Sequence, residues 1–236
     1  MVWRISSAIA EKAYKGMKLV MYSGGDARAN RALDDELFRM VGQKNPLFAY
    51  IPASSYLSEI EFKHFVEQYS PYNVKRFLHF PIDIPYDKTL FREVMQADVI
   101  HLGGGNTFHF LLWLRKKKML EALKDYVHRG GILTGLSAGA IMRARDITMA
   151  CFPTFDRDEN HDNVKNMASL GLVEFDFFPH YRNSPRYDAE FRKLTKRTRR
   201  SLYVCPDGAG IAMDGERLTF VGPTWLFRDG KKIELN

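Results

Sequence analysis

The sequence predicts an α/β protein: a mostly parallel sheet with helices on both faces. Three observations support this prediction. First, apolar β-rich runs alternate with amphipathic helical stretches over the first 140 residues, the pattern of successive strand–helix–strand units. Second, two of these runs end at the motifs Gly103–Thr107 and Gly135–Gly139, as expected where ligands bind at the carboxyl ends of parallel strands. Third, after Ile147 the chain changes to short β-rich runs, which predict added C-terminal strands.

The individual elements follow from the spacing of apolar residues. Predicted strands of the parallel part are Lys18–Tyr22, Leu47–Ile51, Val74–Phe80, Ala97–Leu102 and a fifth that starts at Gly131 and leads to Ser137. Helices are expected at Arg31–Val41, around Ile60–Val66, at Leu90–Met95 and over Phe108–Val127, with a break near Lys116–Lys118. The added strands are expected at Tyr203–Cys205, Gly210–Met213, Leu218–Val221 and Trp225–Phe227, preceded by a helix that starts near Tyr187.

Length and composition predict one domain. The chain has 236 residues, of which 45% are hydrophobic and 13% aromatic, enough for one sizeable core but too few for two. We expect residues 17–236 to form the domain and residues 1–16 an N-terminal extension. No apolar run approaches the roughly 20 residues that span a bilayer, and the N-terminal segment lacks the apolar core of a secretory signal. We therefore expect a cytoplasmic protein with no membrane partner.

The net charge of +7 raises the question of nucleic-acid binding. The strongest basic run, Arg192–Arg200, falls on a predicted surface helix and has no accompanying aromatic stacking set or recognition motif. A solvated helix face with cations towards its C-terminal end explains this run. The same explanation applies to Lys116–Lys118. The sequence therefore predicts no nucleic-acid partner.

The sequence also predicts no metal and no cofactor. Cys151 and Cys205 lack the spacing of a zinc site or a disulfide framework, and we expect them to be buried apolar residues. The glycine run Gly103–Gly105 has neither the spacing of a dinucleotide-binding loop nor the Lys-Ser or Lys-Thr pair of a P-loop.

Ser137 is the candidate nucleophile. It lies between two glycines in Gly-Leu-Ser-Ala-Gly, directly after the fifth predicted strand. A serine hydroxyl is a weak nucleophile, so an enzyme must place it on a tight turn where a base can reach it. This pattern predicts a nucleophile elbow. The helix expected to start at Ala138 would direct its N–H groups towards an oxyanion, and Gly104 or Gly105 would supply a second donor.

Three segments together resemble the aspartyl dipeptidase (peptidase E) and cyanophycinase family of serine peptidases. They are His101–Phe108 (HLGGGNTF), Gly135–Ala140 (GLSAGA) and Phe178–Tyr181 (FPHY). The resemblance extends from about Met17 to the C-terminus. It implies a fold similar to the class I glutamine amidotransferases, with Ser137 as nucleophile and His180 as base. It also implies hydrolysis of short peptides through an acyl-enzyme, without a cofactor.

The third member of the implied triad is Asp207, which gives the chain order Ser137, His180, Asp207. A base histidine needs a carboxylate on its other ring nitrogen, and the dipeptidase carries a glutamate at the position that matches Asp207. Asp156 and Asp158, on an acidic loop after the elbow, are the alternative acids. Either one would restore the order serine, acid, histidine of the α/β-hydrolases.

Substrate selection departs from the family pattern. The dipeptidase uses an arginine on the helix after its Pro-His segment to pair with a substrate aspartate, and Ala189 occupies that place here. Arg182 and Arg186 are candidate replacements, since arginine pairs with carboxylates in a bidentate geometry. Asn106 is a further candidate for substrate binding.

The expected partner is a small peptide, and the sequence leaves open whether the protein forms a homodimer. Two other function classes also stay open at this point. One is an esterase or acyl hydrolase with the same elbow. The other is a non-catalytic binding protein on the same fold.

Overall fold

The computed structural model describes residues 2–4 and 14–236. Its strands are β1 (Val2–Arg4), β2 (Lys18–Tyr22), β3 (Leu47–Ile51), β4 (Arg76–His79), β5 (Val99–Leu102), β6 (Ile132–Leu136), β7 (Asp176–Phe178), β8 (Leu202–Val204), β9 (Gly210–Asp214), β10 (Arg217–Val221), β11 (Trp225–Arg228) and β12 (Lys231–Glu234). Its α-helices are α1 (Arg31–Val41), α2 (Ser58–Tyr69), α3 (Lys88–Val94), α4 (Thr107–Lys116), α5 (Met119–His128), α6 (Ala138–Ile141) and α7 (Pro185–Thr198). Short 3₁₀ turns occupy Ser70–Tyr72 and Thr148–Cys151.

The main sheet of the described residues has eight strands in the order β1-β10-β9-β2-β6-β5-β3-β4. Strands β2, β6, β5, β3 and β4 are parallel, whereas β9, β10 and β1 extend the sheet in antiparallel pairs. The predicted α/β class with added C-terminal strands is therefore confirmed. Because β5 and β6 are parallel neighbours, with Leu102 opposite Gly135, their glycine-rich ends lie side by side at one edge.

Helices cover both faces of this sheet because alternate strand residues bury opposite faces. On one face, Val20 and Phe48 pack with residues of α1 and α2, among them Leu37. On the other face, Leu19 and Ile100 pack with residues of α3, α4 and α5. The predicted break between α4 and α5 lies at Lys117–Lys118, and Lys118 adopts a left-handed conformation with φ of 57°.

The C-terminal strands do not all join the main sheet. Strands β7, β8, β11 and β12 form a second, four-stranded sheet in the order β12-β11-β8-β7. Sequence analysis did not predict two of its strands. The β7 strand has only three residues, and β12 (KKIE) has no apolar alternation to signal it. Pairing with the neighbouring strands stabilises both, which local sequence cannot reveal.

The N-terminal segment has one described strand before residue 14. Val2–Arg4 pairs in antiparallel fashion with β10 at the edge of the main sheet, whereas the sequence indicated no strand in Met1–Gly16. Met1 and residues 5–13 lie outside the described residues. The division into an extension and one domain stays a prediction.

Several surface expectations can be compared with the structure. Both cysteines are free; Cys205 is buried, while Cys151 is half-buried rather than buried as expected. The basic run Arg192–Arg200 was expected to form a solvated helix face. Its last residue differs from this expectation, because Arg200 pairs with Asp146 at 2.8 Å and also contacts Asp176.

Within the described ranges, no helix is both long enough and apolar enough to cross a membrane.

His101 in β5 is a buried histidine with a measurable consequence for acid stability. Its side chain is in the sheet interior, and Nδ1 lies 2.8 Å from Thr134 Oγ1. Burial, together with the smaller effect of the nearby positive charge of Arg143, lowers the pKa of His101 to about 3. In the unfolded chain the pKa is about 6.5. Between these values, the unfolded chain binds a proton that the folded chain excludes.

We therefore expect the free energy of unfolding to fall as the pH drops below about 6.5, with a contribution from His101 of about 2–3 kcal/mol at a pH of about 4.5. Asp34 has the opposite effect on the free energy of unfolding, which it raises as the pH falls, because burial raises the pKa of its carboxyl to about 6. Comparison of wild type with His101→Gln isolates the histidine. Urea unfolding at several pH values should show a shallower acid dependence for the variant; parallel curves would contradict the prediction.

Candidate active site

Ser137 lies on a sharp turn between β6 and α6. Its backbone has φ of 51° and ψ of −112°, a strained conformation for a residue with a side chain. The amide of Ser137 donates to the Tyr22 carbonyl at 3.0 Å, which ties the turn to the end of β2. The second glycine of the motif is explained by close packing, since a Cβ atom at Gly139 would lie 2.1 Å from the Leu102 carbonyl oxygen. The turn therefore presents Ser137 at the carboxyl edge of the sheet.

His180 comes from the second sheet, in the segment that follows β7. Its backbone also has a positive φ, 55°. Its Nε2 lies 2.8 Å from Ser137 Oγ, within hydrogen-bond distance. The two residues are far apart in sequence, and the packing of β7 against α6, the helix that follows Ser137, brings them together.

Asp207 completes a continuous hydrogen-bonded chain. Its Oδ1 lies 2.6 Å from His180 Nδ1, on the ring side opposite Ser137. A carboxylate at Nδ1 holds the proton on that nitrogen and leaves Nε2 as the acceptor for a hydroxyl proton. The side chains of His180 and Asp207 are about half exposed, at 49% and 58%, so water screens the electrostatic part of this contact, which matters chiefly for orientation.

Ser23, at the end of β2, is a positioning residue that sequence analysis missed. Its hydroxyl accepts from the His180 amide at 2.7 Å and donates to the Cys205 carbonyl at 2.6 Å. Ser23 is fully buried. One side chain thus fixes the backbone that carries His180 and the backbone two residues before Asp207.

Gly24 is a second residue of the site that sequence analysis did not identify. A Cβ atom at this position would lie 2.1 Å from Asp207 Oδ1 and 2.5 Å from His180 Cε1. The Gly24 carbonyl accepts from the Gly208 amide at 3.0 Å. Only glycine lets the loop after β2 pass this close to the two side chains.

Ser23→Ala is expected to reduce kcat for peptide hydrolysis, the activity that the family resemblance implies, by about tenfold or more, and to lower the free energy of unfolding by about 1–3 kcal/mol. The substitution leaves the part-buried His180 amide without its acceptor, so the imidazole loses its fixed position. Ser169→Ala is a matched control, because that buried serine donates to the Met142 carbonyl at 2.8 Å and lines neither cleft described below. Equal loss of kcat in both variants would show that the effect is only loss of stability.

The three candidate oxyanion-hole residues lie at different positions relative to Ser137. Gly104 lies against it, since a Cβ atom at Gly104 would be 3.7 Å from Ser137 Cβ. Gly105, with φ of 130°, instead packs towards Ala53. Ala138 is the first residue of α6. Of the pairs considered from the sequence, this packing favours the amides of Ala138 and Gly104.

The alternative acids are not in contact with His180. The Asp158 carboxylate accepts from the Thr107 amide at 2.7 Å, and the Asp156 carboxylate contacts the Tyr187 hydroxyl. Asn106 is also engaged structurally: its side chain caps α4 by accepting from the His109 amide and donates to the Glu159 carbonyl at 2.8 Å. Asn106 lines neither of the two clefts at Ser137.

The two arginines considered for substrate binding, Arg182 and Arg186, lie in different surroundings. Arg182 lines a cleft beside Ser137, together with Arg157, which sequence analysis did not select. Arg186 lies outside that lining and stacks on the Phe155 ring, 3.6 Å from its centroid. Ala189 is exposed on α7 and also lies outside the cleft.

Two clefts meet at the Ser137–His180 pair, and both residues line each of them. The arginine cleft is lined by Arg157 and Arg182 and also by the carboxylate residues Asp156, Asp158 and Asp207, and it has a volume of about 490 Å³. The acidic cavity, which contains Asp26, Glu61 and Glu67, has a volume of about 730 Å³. The arrangement can therefore hold an extended ligand with one part on each side of the hydroxyl.

The chain is similar to several known peptidases. The family model of peptidase family S51 matches residues 19–221. The uncharacterized peptidase YgaJ of Bacillus subtilis is 24% identical over 207 residues, which is 86% of each chain. Peptidase E of Salmonella arizonae is 28% identical over 151 residues, covering 59% of this chain and 62% of that enzyme.

A similar fold occurs in a solved structure. The crystal structure of a putative peptidase E from Listeria monocytogenes superposes with a TM-score of 0.69 at 20% identity, covering 87% of this chain and 98% of the other. The family model covers most of the chain and includes the segments that carry Ser137, His180 and Asp207. The chain therefore belongs to peptidase family S51 and is a serine-type peptidase of the peptidase E family.

Proposed function

We propose that this peptidase hydrolyses short peptides, in the manner of a dipeptidase, through an acyl-enzyme on Ser137. The observation that carries the proposal is the hydrogen-bonded chain from Ser137 through His180 to Asp207, located where the two clefts meet. Serine, histidine and carboxylate in this geometry form the standard arrangement for nucleophilic acyl transfer.

In the proposed first half-reaction, Ser137 Oγ attacks the peptide carbonyl carbon while His180 Nε2 takes the hydroxyl proton. Asp207 stabilises the imidazolium, and the amides of Ala138 and Gly104 donate to the oxyanion. The C–N bond then breaks, and His180 gives its proton to the leaving amine. In the second half-reaction, a water molecule attacks the ester, with His180 again as the base, and releases the acid and free Ser137.

The size and charge of the two clefts support short substrates. Volumes of about 490 and 730 Å³ on the two sides of Ser137 suit single residues or short segments. Arg182 has no carboxylate partner within 4 Å in the described part of the chain, so its charge is available to a substrate carboxylate. A terminal carboxylate close to the cleaved bond is a property of dipeptides.

The proposal is tested by a panel of dipeptides and longer peptides with varied N-terminal residues, together with a matched set of esters. Hydrolysis of dipeptides at a higher kcat/KM than that of blocked or longer peptides supports the proposal. Turnover of esters alone would support the acyl hydrolase alternative. No turnover of any substrate would favour the binding-protein alternative for this chain.

The identity of the triad acid has its own test. Asp207→Asn should lower kcat by about 10⁴-fold, because the amide holds the imidazole in the wrong tautomer. Asp158→Asn and Asp156→Asn should retain most of the activity, since these side chains contact Thr107 and Tyr187 instead. A greater loss in either of those variants than in Asp207→Asn would contradict the assignment.

A further inference from the structure

Lys232, on β12, lies at the centre of a polar cluster beside the segment that carries His180. Its Nζ is 2.8 Å from the Tyr181 hydroxyl, 2.6 Å from Asn183 Oδ1 and 2.8 Å from Asp188 Oδ2. An ammonium has three N–H donors, so each donor of Lys232 has an acceptor. The side chains of Lys232 and Asp188 are only 14% and 20% exposed, so water screens this ion pair less than an exposed one.

Aromatic rings surround the same ammonium. The Lys232 Nζ lies 5.3 Å from the ring centroids of Tyr181 and Trp225 and 5.7 Å from that of Phe227. Lys232 is also the register partner of Phe227 across the β11–β12 hairpin. Cation–π attraction therefore adds to the ion pair, and the ammonium has a fixed position from which it can orient its partners.

Tyr181 connects this cluster to His180, the residue directly before it. The backbone of His180 has a φ of 55°, a conformation that persists only where the surroundings hold it. On the C-terminal side, the Tyr181 amide donates to the Cys205 carbonyl at 2.9 Å, and the Tyr181 side chain is only 2% exposed. Burial raises the pKa of the Tyr181 hydroxyl, which therefore stays protonated, donates to Asp188 and accepts from Lys232.

The cluster also fixes both neighbours of a cleft residue. Tyr181 and Asn183 contact Lys232, and Arg182 between them lines the arginine cleft. Asp188, in the first turn of α7, joins that helix to the same ammonium. Lys232 lies outside residues 19–221, which the family model matches. The contact is therefore made by the C-terminal hairpin of this chain.

We propose that Lys232 is a positioning residue for the Ser137–His180 pair. Its ammonium ties residues 181–183 and α7 to the β11–β12 hairpin, and this holds the His180 imidazole within reach of Ser137. Lys232 lines neither of the two clefts, so it acts through the segment that it holds. The inference rests on the proposed role of His180 as the base.

Lys232→Met tests the proposal, because methionine keeps an unbranched apolar side chain against the rings and removes the three donors. The first readout is the rate of fluorophosphonate labelling at Ser137, which depends on the Ser137–His180 pair and needs no peptide substrate. We expect labelling to be about tenfold slower or more, since displacement of a catalytic group by about 1 Å can cost about 10²-fold in rate. The kcat for peptide hydrolysis should fall by a similar factor.

Two variants of the same hairpin are controls, each measured at a temperature where calorimetry shows the protein fully folded. Lys231→Met removes an exposed lysine from the opposite face of β12. Leu226→Ala removes a half-buried side chain that pairs with Tyr203 and Ile233, on the other face of β11 from Trp225 and Phe227. Both should label at the wild-type rate, although Leu226→Ala should unfold at a lower temperature.

Asn183→Ala is a second variant, which removes only the exposed acceptor of the cluster. It should slow labelling by about threefold or more, and the double variant with Lys232→Met should be about as slow as Lys232→Met alone. Wild-type labelling rates in both single variants would overturn the inference. So would equal slowing by Leu226→Ala, because the effect would then be loss of stability.

Peptide turnover by the wild type separates this inference from the proposed function. Labelling that depends on Lys232, in a wild type that hydrolyses no peptide, would refute the dipeptidase proposal and retain the positioning role. Hydrolysis of dipeptides at equal kcat by the wild type and Lys232→Met, together with equal labelling rates, would refute the positioning role and leave the dipeptidase proposal intact.

Discussion

Ser137→Ala should lower peptidase kcat/KM by about 10³- to 10⁶-fold, and His180→Ala should lower it by nearly as much. The physical reason is that His180 Nε2 lies 2.8 Å from Ser137 Oγ, so each residue is inactive without the other. Both side chains are at the cleft surface and contribute little to the core. Thermal unfolding should therefore change only slightly, which steady-state kinetics and calorimetry together can verify.

The double variant provides the sharper result. Because the two residues act as one unit, Ser137→Ala with His180→Ala should be scarcely less active than either single variant. Losses that multiply in the double variant would mean that serine and histidine act independently. The residual rate in all three proteins measures what the oxyanion donors and substrate binding contribute by themselves.

Gly24→Ala should reduce kcat by about 100-fold or more while the protein stays folded. The added methyl group would lie 2.1 Å from Asp207 Oδ1 and 2.5 Å from His180 Cε1, so both side chains must move away. Displacement of a catalytic group by about 1 Å can cost about 10²-fold in rate. The atoms that move belong to half-exposed side chains, which can shift without disturbing the core.

Gly42→Ala is the control for the general cost of replacing a glycine. Gly42 ends α1 with φ of 66°, and a Cβ atom there would meet nothing within 4 Å. It should lose about 1 kcal/mol of stability from the left-handed conformation and keep full activity. If Gly24→Ala retained wild-type kcat, the close packing around His180 and Asp207 would have no catalytic importance.

The parallel part of the fold was predictable because its four central strands, β2, β6, β5 and β3, are buried on both faces and therefore read as continuous apolar runs. The position of Ser137 followed as well, since a strand, a turn and a helix are local in sequence. The split of the C-terminal strands into two sheets was not predictable. Short strands such as Asp176–Phe178 depend on their neighbours, so their local sequence does not determine which sheet they join.

The partners of Ser137 could be proposed only through the family resemblance. His180 and Asp207 lie on segments that the second sheet brings to the edge of the first, and no spacing rule connects them to the elbow. Ser23 and Gly24 did have a signal, because Ser23-Gly24-Gly25 ends the strand beside β6. Its meaning became clear only from the contacts with His180 and Asp207, which are tertiary.

The residue composition of the two clefts was also beyond sequence analysis. Glu61 and Gln68 lie on α2, Asn30 lies just before α1, and the arginines lie on two separate loops. Before folding, each is an ordinary polar residue of a helix or turn. The fold brings them into the linings of two clefts that meet at Ser137.

The most direct measurement of the central claim is covalent labelling with a fluorophosphonate, followed by mass spectrometry of the intact protein and its peptides. The Ser137–His180–Asp207 chain predicts one adduct per molecule, located on Ser137, formed rapidly by the native wild type. Labelling should be at least about 100-fold slower in His180→Ala and absent from heat-denatured protein. Absence of an adduct on native protein, or selective labelling of a different serine, would contradict the account.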